Sequence, residues 1–253
     1  MKIALITMMD DRFIKGFEAF IKSLLHHNPW FNYPMIIINT GLIKENQKKC
    51  KKMYDNIHFF APKEREYRHV NMKRTEYCLR KTYYKLDMFS YENFDRLVFI
   101  DMDTIILGDI SYLFTQVVAP IGACKAYDWK GDRLRNDYNS GVLVLNSPVI
   151  NLGTYRKLII KARQGYSMPD QKTINNFFGK RIYQIPKIYN CEKRVKDSIF
   201  LHYDNNKGKL RLQQDDIRIL HFVSHKPWNP SGKSENNQGY EDLEEIWKKY
   251  YEM

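Results

Sequence analysis

The stretch RLVFIDMDTIILGDI, Arg96 to Ile110, decides how the rest of the chain is read. Four apolar residues, Leu97 to Ile100, run straight into Asp101-Met102-Asp103, and the chain then turns apolar again. A short apolar run of this kind fits a strand buried inside a sheet, and open α/β sheets bind their ligands beyond the carboxyl ends of such strands. In extended backbone, residues two apart point to the same face. Asp101 and Asp103 are therefore expected to project together while Met102 points away. Two carboxylates held so close repel, and each resists leaving water; a bound divalent cation relieves both. A D-x-D triplet also serves as a pair of turn carboxylates capping a loop, and on the triplet alone both readings stand.

Outward from this stretch, strand and helix patterns alternate. Lys2–Met8, Met35–Asn39 and Ile57–Phe60 read as buried strands. Between them, Ile14, Phe17, Ile21, Leu24 and Leu25 recur at helical spacing, and a lysine-rich helix runs to about Met53. Thr75–Phe89 is helical in pattern, with Tyr77, Tyr84 and Met88 on one side. Downstream come strands at Ile121–Tyr127 and Gly141–Leu145, a helix from about Thr154 to Arg163, a last strand at Ile217–Phe222 and an amphipathic helix at Leu243–Tyr251. The alternation predicts a single α/β domain, with a mixed, mostly parallel central sheet flanked by helices. There is no internal repeat or low-complexity tract, and the loosest stretch is the polar Asn229–Gly239.

At 253 residues the chain is long enough to bury a substantial core. Its formal charge of +12 calls for an anionic partner without choosing among nucleic acid, nucleotide and phospholipid. Lysine runs such as Lys48-Lys49 and Lys51-Lys52 read as a solvated helix face. Cys50, Cys78, Cys124 and Cys191 are far apart and suggest neither a zinc site nor a disulfide framework, which favours a reducing compartment. The opening MKIALITMMDD is too short in its apolar run for a secretory signal, and no segment offers the uncharged length of a membrane helix. A soluble, cytoplasmic protein is expected.

A second constellation lies in HFVSHKPWNP, His221 to Pro230. A histidine at a strand end is usually a hydrogen-bonded core residue, but here Lys226-Pro227-Trp228 follows closely as a rigid basic turn. Two carboxylates and an imidazole suit Mn2+ better than Mg2+, which stays open as the alternative. A neighbouring lysine adds positive charge for a phosphate, and the two together describe a diphosphate clamp.

With these residues in view, the chain resembles the retaining glycosyltransferases of family 8, the group that contains glycogenin, and looks most like glycogenin. The likeness runs from Lys2 to about Asn229 and rests on six elements in the family's order: Lys85-Leu86, FIDMDTIILGDISYLF (Phe99–Phe114), Asn139-Ser140-Gly141-Val142, Asp170-Gln171, Tyr189-Asn190 and HFVSHKPW. The resemblance implies a Rossmann-like nucleotide-binding domain of the GT-A type, a UDP-sugar donor and Mn2+. Residues 1–115 would form its nucleotide-binding part, 116–230 its sugar and acceptor part, and 231–253 a terminal loop and helix. By position, Asp101, Asp103 and His221 would ligate the metal. Thr7, Met9, Asp10 and Phe13 would meet uridine, with the Phe13 ring either stacking on uracil or belonging to the core. Lys85, the Asp101-Met102-Asp103 triplet, Asn139, Ser140, Gly141, Ser224 and Lys226 complete the implied donor contacts; alone, N-S-G is a turn signal.

Asp170, Gln171 and Lys226 are the implied catalytic residues, with Lys226 and Lys85 adding fixed charge at the leaving group. Asp170 would position sugar hydroxyls, a role favoured over nucleophilic attack; Pro169-Asp170-Gln171 also reads as a helix start. Two departures stand out. Ser224 replaces the family's glycine, and His221 to Lys226 is one residue shorter than the family's spacing, so the loop is expected to take a different path. Glucose is the first expectation for the donor sugar and galactose the second. The acceptor is expected to be a glycan or a protein tyrosine, with the chain's own Tyr203 as a candidate; a homodimer is also considered. The chain ends soon after the K-P-W motif, so a catalytic domain on its own is expected. Two readings of other classes are weighed beside this one: a metal-dependent nucleic-acid-binding protein and a non-catalytic nucleotide-sugar binder.

Overall fold

The computed structural model describes residues 1–71, 77–128, 134–193, 216–229 and 240–253. Its frame is a seven-stranded sheet built from the apolar runs. These are β1 (Ile3–Met9), β2 (Met35–Asn39), β3 (Ile57–Phe60), β4 (Arg96–Ile100), β6 (Ile121–Tyr127), β7 (Leu134–Asn146) and β8 (Tyr183–Gln184), in the order β3-β2-β1-β4-β7-β6-β8. β1 pairs parallel with both β2 and β4, and β2 parallel with β3, whereas β7 runs antiparallel to β4 and β6. The mixed, mostly parallel sheet is thus present. Its strand order reverses beside β1, so a crevice opens past the carboxyl ends of β1 and β4.

Alternation along β1 divides the core. Ile3, Leu5 and Met9 face one layer with Phe17, Phe20, Ile21 and Leu24 of α1 (Ile14–His27) and Cys50 of α2 (Lys44–Met53). Ala4 and Ile6 face the other layer, with Tyr155, Leu158 and Ile159 of α4 (Leu152–Ala162) and Ile174 and Phe178 of α5 (Pro169–Phe178). Between β4 and β6 lie β5 (Thr104–Ile106) and the short α3 (Ser111–Thr115).

The segment expected to be helical from Thr75 is a 3-10 helix over Tyr77–Ser90. In that winding, residues three apart eclipse, and it buries the row Tyr83, Leu86 and Phe89 together with Met88 of the side expected from the sequence. Tyr84 is half-buried, and the side chain of Tyr77 lies outside the described residues. A second difference concerns β7, which runs through Asn139-Ser140-Gly141 without turning. Ala123 of β6 pairs with Leu143 but Lys125 with Tyr138, so β7 carries extra residues there. Such a bulge re-aims side chains.

The strand expected at Ile217–Phe222 is shorter, β10 (Ile219–His221), and lies outside the main sheet. It runs antiparallel to β5 and parallel to β9 (Cys191–Glu192), forming a three-stranded sheet of its own. Behind it packs α6 (Glu241–Glu252), whose Leu243, Trp247 and Tyr250 are buried with Ala19, Leu220 and Phe222. Cys50, Cys124 and Cys191 are buried free thiols. Tyr203 and residues 230–239 lie outside the described residues.

Candidate active site

Asp101 and Asp103 follow β4 directly, but not as extended strand: β4 ends at Ile100, and the triplet bends into β5 at Thr104. The bend is held by Asp101 N–H donating to Gly141 O at 2.8 Å and Thr104 Oγ1 donating to Asp101 O at 2.8 Å. Phe222 N–H donates to Asp103 O at 2.7 Å. The carboxylates converge as expected, through backbone bonds rather than strand pleat. Met102 turns away into the core with α1, as its place between the two aspartates predicts.

His221 arrives from β10, whose partner residue in β5 is Thr104. Its Nε2 lies 3.2 Å from Asp103 Oδ1 and 3.9 Å from Asp101 Oδ2. One ligand atom from each of the three residues falls within 4.8 Å of the others, the one such group among the described residues. Asp103 and His221 are buried, while Asp101 keeps contact with solvent. Three protein ligands with an open side are what a hard-to-borderline divalent cation needs.

Behind the carboxylates, Lys85 is buried on the 3-10 helix. Its Nζ reaches Asp101 Oδ1 at 3.2 Å, Asp170 Oδ2 at 3.0 Å and Ser140 O at 3.0 Å. Ser140 Oγ donates to Asp170 Oδ2 at 2.7 Å. Lys85 therefore ties the D-x-D to Asp170. Burial pushes the Asp101 carboxyl upward, and Asp103 adds to this against the pull of Lys85, leaving it above its ordinary range. Burial acts the same way on Asp103 and Asp170 but is overcome: the Lys226 ammonium holds Asp103 well below the carboxylate range, and Lys85 and Ser140 hold Asp170 below it.

The K-P-W turn closes the site from the other side. Lys226 Nζ pairs with Asp103 Oδ2 and donates to Phe222 O at 2.9 Å. Ser224 has φ 67° and is the one non-glycine residue with positive φ among those described, so the serine adopts the left-handed backbone that glycine adopts freely. Trp228 fastens the turn to the start of α1: its Nε1 donates to Arg12 O at 2.9 Å, and its ring meets Phe13 edge-on at 5.9 Å. Gly16 makes the room, since a Cβ there would lie 2.6 Å from Trp228 Cη2 and 2.8 Å from Met102 O. Phe13 is thus engaged by the protein along one edge and half-buried.

The other sequence-derived residues divide into two sets. Met9 is buried in the core, and Asp10 accepts from Arg12 Nε at 3.1 Å and Nη2 at 2.8 Å, with Lys81 at 3.7 Å. Burial would raise the Asp10 carboxyl, but Arg12 and Lys81 hold it below its ordinary value. Asn139 and Gly141 are bound to protein, Gly141 N–H donating to Asn139 Oδ1 at 2.7 Å. In contrast, Thr7 Oγ1 near the end of β1 and Gln171 Nε2 beside Asp170 are buried with no hydrogen-bond partner among the described residues. Leaving such an atom unpaired costs about 1–3 kcal/mol, so both suit groups that meet a bound ligand. Asp170 and Gln171 open α5 behind Pro169, as the helix-start reading has it. Asn190, 0% exposed and 2.8 Å from His221 Nδ1, is a site residue the sequence reading passed over; its only signal was its place in the Tyr189-Asn190 pair.

The model of Glycosyl transferase family 8 matches residues 4–232. The chain is 23% identical over 271 residues to the glycosyltransferase GlyF of Streptococcus pneumoniae, covering 100% of this chain and 62% of that protein. It is 28% identical over 178 residues to glycogenin-1 of Caenorhabditis elegans, covering 67% of this chain and 37% of that one. It thus spans less than two thirds of these relatives' length. Among solved structures it superposes on galactosyltransferase LgtC in complex with donor and acceptor sugar analogues, with a TM-score of 0.67 at 16% identity, covering 97% of this chain and 95% of that one. GlyE of S. pneumoniae gives a TM-score of 0.70 at 21% identity, covering 99% of this chain and 60% of that one. At these identities the likeness speaks for the fold.

Proposed function

Because the chain belongs to glycosyl transferase family 8, we propose that it transfers a hexose from a UDP-sugar to a hydroxyl acceptor with retention of anomeric configuration. The observation that carries the reading is the convergence of Asp101, Asp103 and His221, drawn from two sheets, with their ligand atoms within 4.8 Å. These three would hold Mn2+, or Mg2+ in its place. A cation bound there supplies Lewis-acid neutralisation of the departing diphosphate.

The remaining work falls to this chain's own groups. Lys226, on a short turn pinned by Trp228, presents its ammonium beside Asp103, where it can share the negative charge of a leaving diphosphate. Asp170 is kept ionised by Lys85 and Ser140. It is suited to accept hydrogen bonds from sugar hydroxyls and so orient the anomeric carbon. Gln171 offers an unpaired amide N–H in the same place. Thr7, Met9, Asp10 and Phe13, at and just beyond the end of β1, are the residues a uridine would meet. Glucose is the first choice of sugar and galactose the second; the acceptor is a glycan or a tyrosine hydroxyl, Tyr203 included. Buried free thiols at Cys50, Cys124 and Cys191 support a reducing, cytoplasmic setting. No helix among the described residues is long and apolar enough to cross a membrane.

The test is UDP release from a panel of UDP-sugars with Mn2+, Mg2+ or EDTA, read together with intact protein mass. The reading expects metal-dependent UDP release with at least one donor, abolished by Asp103→Asn. Added hexose mass that Tyr203→Phe removes would assign the acceptor to the chain itself. Donor binding without metal-dependent turnover on any acceptor would instead mark a nucleotide-sugar binder and overturn the catalytic reading.

A further inference from the structure

We infer that Asn190 is a positioning residue that fixes the protonation pattern of His221, and that a backbone amide dictates the arrangement. The inference rests on the reading of Asp101, Asp103 and His221 as a cation site. Three hydrogen bonds run in series. Gly141 N–H reaches Asn139 Oδ1 at 2.7 Å, Asn190 Nδ2 reaches the same Oδ1 at 2.8 Å, and Asn190 Oδ1 lies 2.8 Å from His221 Nδ1. A backbone N–H can only donate, so Asn139 must turn its oxygen toward Gly141. Asn190 must then turn its NH2 toward that oxygen, which leaves its own oxygen for the imidazole. An amide oxygen can only accept. His221 Nδ1 therefore carries the proton, and in the neutral ring Nε2 is bare.

The bare nitrogen faces Asp103 Oδ1 at 3.2 Å and Asp101 Oδ2 at 3.9 Å. A lone pair aimed at two carboxylates has no partner of its own there; a cation supplies one. Without the relay, the carboxylates would draw the ring proton to Nε2, where it occupies the atom a metal needs. Partners behind a ligating histidine set its tautomer and raise its basicity in this way. Every member of the series is buried, so water does not compete for the bonds. The glycine at 141 has a second reason: a Cβ there would lie 2.7 Å from His221 Nδ1 and 2.8 Å from Asn139 Oδ1. The N-S-G element thus serves the histidine from behind through its first and third residues, while Ser140 serves Asp170.

The deciding experiment reads the tautomer directly, in metal-free protein labelled with 15N-histidine, by long-range 1H–15N correlation at mildly alkaline pH. His221→Gln assigns the signals. Wild-type protein is expected to show a protonated Nδ1, with Nε2 bare in the neutral ring; a bare Nδ1 with the proton on Nε2 overturns the inference without any further variant being needed. In Asn190→Leu the proton is expected to move to Nε2, and Mn2+ affinity, measured by EPR of the free ion without donor, to fall by roughly 10–100-fold. Asn190→Asp keeps an acceptor opposite Nδ1 and is expected to keep the wild-type tautomer. Unchanged tautomer and affinity in Asn190→Leu would overturn the inference. Wild-type protein with the expected tautomer but no uptake of Mn2+ would overturn the cation reading of the site while supporting the relay.

Discussion

Replacing Lys85 with methionine keeps most of the aliphatic stem and removes the ammonium that lies 3.2 Å from Asp101 and 3.0 Å from Asp170. Removing one partner of a buried ion pair costs about 3–5 kcal/mol, because the other charge is left without compensation. Here two carboxylates are left, so the upper half of that range is expected near neutral pH. The pH dependence is diagnostic. In the native protein the Asp170 carboxyl is held below its ordinary 3.8 despite burial. It therefore contributes stability above that ordinary value and loses it as pH falls through the lowered one. In Lys85→Met, burial acts without the opposing lysine and the folded carboxyl rises above its unfolded value. Its ionisation then costs stability at neutral pH, and the cost is relieved as the acid protonates. The gap between the two proteins should accordingly narrow on acidification. Urea unfolding at about pH 7.5 and about pH 5 measures it; a gap that is small, or that stays constant between the two, would refute the account of Lys85 as a bridge between ionised carboxylates.

Ser224→Gly should stabilise the protein by about 1 kcal/mol, since φ 67° disfavours any side chain, and Ser224→Val should destabilise it by more; both are read from the urea midpoint. Gly16→Ala would push a methyl against Trp228 and the Met102 carbonyl, so we expect the urea midpoint to fall and, as the K-P-W turn shifts with Lys226, kcat/KM for the donor to fall with it. The Asp87 carboxyl is raised by burial despite bonds from Lys63 N–H at 2.7 Å, Tyr67 at 2.7 Å and Tyr155 at 3.1 Å. Stability therefore falls as pH rises from its unfolded to its folded value, and the full cost of its ionisation persists above that. Asp87→Asn should therefore weaken the stability difference between mildly acid and neutral pH, measured by the same urea series.

Much of this was legible in the residues because apolar runs and acidic triplets carry their signal locally. MIIIN and RLVFI name their strands, and two aspartates at the end of the second suffice to raise a cation. What escaped depends on partners distant in sequence or on small differences in winding. A buried row at spacing three and one at spacing four share too many positions for Thr75–Phe89 to reveal a 3-10 helix. Asn190 is a neutral amide without periodicity, and its importance arises only when β9 is laid beside β10. Asn139-Ser140-Gly141 has the composition of a turn; that it is a bulge in a long strand depends on pairing with β6, which no local pattern records. The candidate residues were thus named by identity, while the hydrogen-bond partners that hold them in place were not.

The tryptophan of the K-P-W turn lies 5.6 Å from Trp247, which in turn stacks on Tyr251 at 4.9 Å. The pose of Lys226 is consequently inherited from the last helix of the fold as well as from the first. A nascent polypeptide that has not yet delivered that helix would leave the K-P-W turn, and with it Lys226, without its backing, however complete its main sheet.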